Sequence, residues 1–276
     1  MYFWFRLLSR WPLGALHGVG HVLGWLAWLL SPTYRRRFLD NVAQAQMSWQ
    51  QAMGAIGQAG CMSTELPRLW LGRMPAVQWQ GDALVDSAYA AGRGVIFLTP
   101  HLGCFEITAQ ALAQRYSPQF GDLTVLFRPA RQAGLAQVMN EARAREGLAT
   151  APTTLAGVRQ MIKSLRAGRA VGLLPDQVPP EGMGLWTSFF GKPAYTMTLA
   201  ARMAQQTGAQ LVLIWGERLP WGRGFRLHAS GLEQPLSDDL EAAVLQINQA
   251  MEVLVRQCPS QYLWGYARYK SPRKEL

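Results

Sequence analysis

Along the 276 residues, short apolar runs alternate with amphipathic stretches, the pattern of strands interleaved with helices. The clearest run is Gly94-Val-Ile-Phe-Leu-Thr99, rich in β-branched and aromatic residues, as expected of a strand buried on both faces. Pro100 stops it, because proline offers no amide to continue a ladder. His101 follows at the mouth of the strand. Gly103 permits a tight turn, and Phe105 to Arg115 is helix-compatible. The same reading predicts strands at Val77 to Trp79, Leu123 to Phe127, Ala170 to Leu174, Leu211 to Glu217 and Phe225 to Ala229. Helices are predicted from Asp82, as a cap, to about Ala91, from Gly134 to Glu146, and from Thr154 to Arg166 with Thr153 or Thr154 as cap. Two more cover Thr196 to Thr207 and Asp238 to Gln257, and the Pro- and Gly-rich stretch Val178 to Pro193 reads as a loop. Strands alternating with helices over short links predict an α/β fold, a mostly parallel central sheet flanked by helices.

The amino terminus has a different pattern. No formal charge occurs from Trp11 to Tyr34, and Leu13 to Leu30 is mostly Leu, Ala, Val, Trp and Gly, just long enough to cross a bilayer core as a helix. His17 and His21, one turn apart, give it one polar flank. No small-residue cleavage site is evident, which argues against a removed signal peptide. Trp4, Trp11, Trp25 and Trp28, with Arg6, Arg10 and Arg35 to Arg37 around them, fit an interfacial or spanning anchor better than a buried core helix. The denser carboxy-terminal basic cluster places the rest of the chain in the cytoplasm. Residues 38 to 75 read as helical, with Gly54, Gly57 and Gly60 allowing close packing. The expected organisation is a membrane anchor over 1–34, a helical platform over 35–75 and an α/β core over 76–276.

Composition narrows the partner. Hydrophobic residues make up 49% and charged residues 16%, tryptophan occurs 11 times, and the formal net charge is +10. Such an excess points to a polyanion: an anionic membrane, or a phosphorylated or acidic substrate. Nucleic acid is disfavoured, because no zinc-finger spacing, RNP-like motif or dense basic tract with interleaved aromatics is present. The three cysteines, Cys61, Cys104 and Cys258, form neither a disulfide framework nor a CxxC pair. No Gly-x-Ser-x-Gly elbow occurs, which disfavours an esterase of that kind.

Three predicted strands end in polar signatures: His101 with Glu106, Arg128, and Asp176-Gln177. Strand ends on one edge of a parallel sheet lie side by side, so these residues are expected to converge. Five residues of regular helix would turn about 500°, so His101 and Glu106 meet only if the turn at His101 to Cys104 folds the imidazole back over the first helical turn. An imidazole with a carboxylate on its far nitrogen is a general base near neutral pH. Arg128 offers a fork of donors to a phosphate or an oxyanion, and Asp176 can hold Arg128 or an acceptor hydroxyl. Cys104 is open to two readings, a covalent acyl acceptor or ordinary packing at a helix start, with packing favoured. His101, Cys104 and Glu106 lack a second cluster that would make a zinc site.

The block from Gly94 to Glu106 resembles the His-x4-Asp/Glu motif of the glycerolipid-type acyltransferase superfamily, and within it the Glu-bearing late acyltransferases of lipid A biosynthesis. The resemblance covers nearly the whole chain. It includes the apolar amino terminus, Arg37 with Asn41, Phe127-Arg128-Pro129, Asp176-Gln177, Phe189-Phe190-Gly191-Lys-Pro-Ala194-Tyr-Thr196, and Gln261-Tyr-Leu-Trp264 with Arg268. It departs at Cys104-Phe105, where that family commonly has Asn-Trp. The resemblance implies an enzyme of the bacterial inner membrane, with its catalytic domain on the cytoplasmic side and no metal or organic cofactor. It implies acyl transfer from acyl carrier protein to a lipid hydroxyl, with His101 as base and Glu106 orienting it. Arg128, Asp176 and Gln177 would bind substrate, and Trp186, Phe189 and Phe190 would receive an acyl chain, touch the membrane or plug the core. The alternatives are a lysophospholipid or other membrane-lipid acyltransferase, and a non-catalytic lipid-binding protein.

Overall fold

The computed structural model describes residues 2–127 and 146–274. Arg128 and nearly all of the helix expected from Gly134 lie outside the described residues. The strands are β1 (Val77–Gln80), β2 (Val95–Leu98), β3 (Leu123–Phe127), β4 (Leu148–Pro152), β5 (Ala170–Leu173), β6 (Gly184–Phe189), β7 (Lys192–Met197), β8 (Gln210–Arg218) and β9 (Phe225–Ser230). Among the described residues seven of them form one sheet in the order β1-β9-β8-β2-β5-β3-β4. Only the β8–β9 pairing in it is antiparallel. The fold is therefore α/β with a mostly parallel sheet flanked by helices.

β2 sits in the middle and all four of its residues are buried. Each such side chain contributes about 1.5–3 kcal/mol relative to exposure. Val95 and Phe97 pack with Val85, Tyr89, Leu112 and Tyr116 of helices Asp82–Ala90 and Phe105–Phe120. Ile96 and Leu98 belong to the opposite face, with residues of helices Leu155–Arg166, Leu199–Thr207 and Leu240–Gln257. The β2–β5 register sets Leu98 opposite Leu173, so three further residues along each strand bring His101 level with Asp176.

Several local expectations change. Val178 to Pro193 is not a loop: β6 and β7 form an antiparallel hairpin within it. Its two-residue turn, Phe190-Gly191, has both φ angles positive (47° and 73°), the geometry that matches the twist of hairpin strands. The helix expected from Thr196 starts at Leu199, because Thr196 still pairs in β7. β4 was not expected; it is a sheet-edge strand of small residues ending in Pro152, a position where proline costs no ladder bond. Asp82 is not the cap of its helix, since Gly81 takes that position in a left-handed conformation and the Asp82 carboxylate instead pairs with Arg115 at 3.0 Å. Thr154 does cap its helix, accepting from the Gly157 amide.

The apolar helix spans Leu13–Leu30, long and apolar enough to cross a membrane by length and composition. The platform breaks into helices Pro32–Gln44, Trp49–Ala52, Gly54–Thr64 and Leu66–Leu71. Gly24 and Gly60 let Leu13–Leu30 and Gly54–Thr64 touch backbone to backbone, and a Cβ at either would collide with the opposite helix. One flank of Leu13–Leu30 is thus docked on the protein. The other leaves Val19, Val22, Leu23, Leu26, Leu29 and Leu30 exposed at helical spacing. Trp4 and Trp11 are exposed as well, whereas Trp25 and Trp28 pack partly on the core.

Candidate active site

The turn after β2 is clamped from two sides. Gly103 donates to the Gln261 carbonyl at 3.0 Å, Cys104 donates to the Gly216 carbonyl at 2.7 Å, and the His101 carbonyl accepts from Leu263 at 3.0 Å. Gly103 has φ +58°, and any Cβ there would strike the Gly216 carbonyl. The turn therefore has one conformation, and it aims the imidazole at the end of β5.

There the two strand ends meet. Asp176 Oδ2 accepts from the His101 backbone N–H at 2.8 Å, and Asp176 Oδ1 lies 2.7 Å from His101 Nδ1. Gln177 places its side-chain Nε2 2.9 Å from His101 Nε2. The Phe105 ring packs against the imidazole with centroids 5.1 Å apart. Behind Asp176 stand the Tyr262 hydroxyl and the buried Arg268. Burial alone would raise the Asp176 carboxyl. The charge of His101 and hydrogen bonds from its ring and backbone, with Arg268 adding to them, outweigh burial and hold it below the usual carboxylate range.

Glu106 lies in the first turn of helix Phe105–Phe120, and its Oε2 accepts from the Trp70 indole at 3.1 Å. Both residues line a cavity of about 170 Å³ between that helix and β2, β3 and β5. Its wall is mainly apolar, including Phe97, Phe105, Leu112, Val125 and Leu173, with Thr99 among the few polar members. Gly172, in the middle of β5, also lines it, and a glycine in a buried strand was the available sequence signal for such room. Trp70 had no signal beyond being aromatic.

The remaining candidates separate. Phe189 and Phe190 are buried in the core, where Arg268 lies over the Phe189 ring and Phe190 packs on Trp264. Trp186, from the same hairpin, is 52% exposed. Cys104 is fully enclosed and its thiol is pushed well above its ordinary range by burial, then by Glu65, so it stays a protonated packing group rather than a nucleophile. No group of three or more potential metal ligands occurs among the described residues.

A second buried cluster lies beneath the clamped turn. Glu65 accepts from Arg218 Nε at 2.9 Å and Nη2 at 2.6 Å, and its Oε2 lies 3.0 Å from His17 Nε2. Gln261, which holds Gly103, also accepts from the Arg218 backbone amide at 2.9 Å. Sequence reasoning missed this cluster. Its members lie 48 and 153 residues apart, and no periodicity connects them.

An imidazole with one nitrogen on a carboxylate is suited to removing a proton, and its neighbour Phe105 lines the apolar cavity. Comparison with known proteins agrees. Residues 39–271 match the family model for bacterial lipid A biosynthesis acyltransferases. The chain is 25% identical to the lipid A biosynthesis lauroyltransferase of Escherichia coli K12 over 217 residues, 77% of this chain and 68% of that protein. It is 26% identical to the myristoyltransferase of the same organism over 256 residues, 88% of this chain and 77% of that protein. A phosphatidylinositol mannoside acyltransferase of Mycobacterium tuberculosis is 28% identical over 173 residues, 60% of this chain and 50% of that protein. With the site at a strand end and the match extending over the helices before the sheet and the sheet itself, the chain belongs to the bacterial lipid A biosynthesis acyltransferase family.

Proposed function

We propose that this acyltransferase moves a fatty acyl group from acyl carrier protein to a hydroxyl of a lipid A precursor at the cytoplasmic side of the inner membrane. The observation that carries the chemistry is the imidazole of His101, held on Nδ1 and packed on Phe105, which lines an apolar cavity. His101 Nε2 takes the proton of the acceptor hydroxyl as Gln177 moves aside, and the oxygen attacks the thioester carbonyl carbon. The oxyanion collapses, the C–S bond breaks, and the carrier thiolate leaves with the proton from Nε2. Glu106 adds negative charge that favours the imidazolium and, through Trp70, fixes the wall of the cavity that receives the acyl chain. Arg128 offers donors to the oxyanion or to an acceptor phosphate, and Gln177 turns its amide to the same oxygen. Resident metal or organic cofactors have no part in these steps.

The net charge of +10 suits both an acidic carrier protein and an anionic lipid. The outward stripe of Leu13–Leu30, together with the exposed Trp4 and Trp11, meets the bilayer, while the opposite flank stays docked on Gly54–Thr64. That arrangement favours a helix lying in the interface over one crossing alone. Trp186 is available for the same contact.

The likeness to a phosphatidylinositol mannoside acyltransferase favours a second reading, another glycolipid acceptor with the same chemistry. Mass spectrometry of lipids from a deletion strain separates the two. Lipid A lacking one acyl chain, with other lipids unchanged, is the expected result; the reverse pattern overturns the acceptor. For the reaction, purified protein is assayed with acyl carrier protein thioesters. His101→Ala is expected to lower turnover by about 10²–10⁴-fold, the usual weight of a general base, while membrane association persists. Near-normal turnover by that variant, or none by the wild type with either class of acceptor, sinks the reading.

A further inference from the structure

We propose that Gly172 sets the length of acyl chain that the enzyme accepts, by leaving a gap in the sheet wall through which the chain passes from the His101 end of the cavity to its deep end. This rests on the acyl-transfer reading of the site and adds to it a specificity-determining residue.

The gap follows from the register of the sheet. Phe97 pairs with Val212 on one side and Gly172 on the other, Gly172 pairs with Val125, and Val125 pairs with Thr150. These residues form one row across the sheet. Ala170, two positions before Gly172, packs with Phe97, Leu112 and Leu123 under helix Phe105–Phe120, and residues two apart on a strand share a face. A side chain at position 172 would enter that layer between Phe97 and Val125. A Cβ there would meet a single heavy atom of the described residues within 4 Å, Val125 Cγ1 at 3.3 Å. Protein interiors are close-packed, so such room in the middle of a central strand marks a cavity wall, and Gly172 lines the cavity with both neighbours. The backbone does not call for glycine here, because Gly172 is not among the residues with positive φ. Glycine also weakens a strand. The space, rather than the conformation, accounts for it.

The cavity has two unlike ends. Thr99 and Glu106, with the Trp70 indole bonded to Glu106, line it where the strands end beside His101. Leu123 and Leu148, paired with each other, line it towards the start of their strands. A thioester carbonyl at His101 therefore sits at the polar end, and its chain runs back along β5. The Gly172 row lies two residues below the level of Thr99 and two above that of Leu123. Two residues of strand span about 6.6 Å. Carbon–carbon bonds of about 1.5 Å at about 111° advance about 1.25 Å per methylene, so the part of the cavity below Gly172 takes about five carbons.

Gly172→Leu fills the gap and closes that deep part, so the preferred chain shortens by about four to five carbons from whatever length the wild type prefers. Each methylene removed from an apolar site is worth about fourfold, so kcat/KM for the wild type's best donor is expected to fall about 10²–10³-fold. The donor four carbons shorter is expected to stay within about fivefold of the value that the wild type gives it. Gly172→Ala adds one methyl group with one close contact and is expected to fold as the wild type does. It should lower the ratio of kcat/KM between the best donor and the donor two carbons shorter by about fourfold.

The measurement is kcat/KM of the full-length protein in detergent, with a lipid A precursor as acceptor and carrier-protein thioesters of saturated chains from about 8 to about 18 carbons. A loss of equal size at every length in Gly172→Leu, as a purely structural glycine would give, or an unchanged length profile, overturns the proposal. Should Gly172→Leu fail to fold, the ratio in Gly172→Ala decides, and an unchanged ratio counts against it. Binding separates this proposal from the acyl-transfer reading. Pantetheine carrying the same chains through an amide, which cannot be transferred, is titrated and followed by tryptophan fluorescence, since Trp70 lines the cavity. If the wild type transfers no acyl group, the reaction fails, but the binding still decides the proposal. A profile shifted to shorter chains in Gly172→Leu supports it; the same profile in both proteins, or no saturable binding at any length by the wild type, overturns it.

Discussion

Among the described residues two histidine–carboxylate pairs with buried carboxylates sit a short way apart, and they differ in what surrounds them. His101 meets Asp176 at 2.7 Å, and His17 meets Glu65 at 3.0 Å. Burial does not separate them: the histidine side chains are 14% and 11% exposed, and both carboxylates are 2% exposed. Their surroundings do. Glu65 is closed by two hydrogen bonds from Arg218, so its charge is already answered before His17 takes any part. Asp176 has its arginine nearby, but Arg268 donates to the Tyr195 carbonyl and Thr196 Oγ1, while both carboxylate oxygens face His101. The difference teaches that a His–carboxylate distance alone does not say what a pair can do, and it is why the proposed base is His101 and not His17. What matters is whether the negative charge is still available to a proton arriving on the ring.

The most disruptive way to probe the contrast is Arg218→Met. Removing the guanidinium leaves Glu65 buried and without its main counter-charge, at an expected cost of about 3–5 kcal/mol. Unfolding followed by tryptophan fluorescence in detergent measures it. Replacing both members, Glu65→Leu with Arg218→Met, is expected to return most of that loss, because a well-packed apolar pair can substitute for a buried ion pair. The companion double change at His101 and Asp176 should restore no activity. Recovery of turnover there would show that the two pairs are of one kind after all.

Acid titration comes next in size. Burial alone would raise both Glu65 and Asp176, but Arg218 in one case and His101 in the other outweigh it, so both carboxyls stay below their ordinary range in the folded chain. A depressed carboxyl contributes stability above its unfolded pKa, and that contribution is lost as pH falls through the folded value. The carboxyl contribution is therefore expected to be lost below about pH 4, separately from a loss between about pH 7 and 5 that comes from His21, whose ring is held below its ordinary range by burial. Asp176→Asn should remove only part of the drop, since Glu65 still titrates. Stability that shows no further drop below about pH 4 would contradict the assignment of both carboxyls.

How much of this was legible in the sequence follows from the same contrast. The His101–Asp176 pair was within reach, because two apolar runs with matching stops placed both residues at adjacent strand ends, and parallel register did the rest. Its detail was not. A His-x4-Glu motif draws attention to the carboxylate nearest in sequence, while the hydrogen bond on Nδ1 comes from a residue 75 positions away. The Glu65 cluster was illegible for the reason that makes it structural: it joins a helix, a platform and the end of β8 through contacts no local pattern encodes. The hairpin of β6 and β7 was hidden by its glycines and prolines, although the Phe190-Gly191 turn carried the clue. The docked helix Leu13–Leu30 was correctly bounded, yet which flank faces the protein depended on Gly24 and Gly60 meeting the opposite backbone.

The smallest predicted effect sharpens the comparison most. His17→Leu removes one partner from Glu65 but leaves both bonds from Arg218 in place, so the carboxylate keeps its counter-ion. The expected loss is about 1–2 kcal/mol, the weight of one hydrogen bond to a charged group partly offset by an apolar side chain in an apolar helix. Turnover per folded molecule should stay within about twofold of wild type, because neither ring nitrogen of His101 and neither oxygen of Asp176 depends on His17. The measurement is paired: unfolding and kcat on the same preparation. A collapse of kcat with the fold intact would mean that the packing through Cys104, Gly103 and Gln261 carries the state of the lower pair to the upper one. An unchanged kcat with the expected loss of stability would mean that the lower pair joins helix Leu13–Leu30 to the core and that turnover does not depend on it.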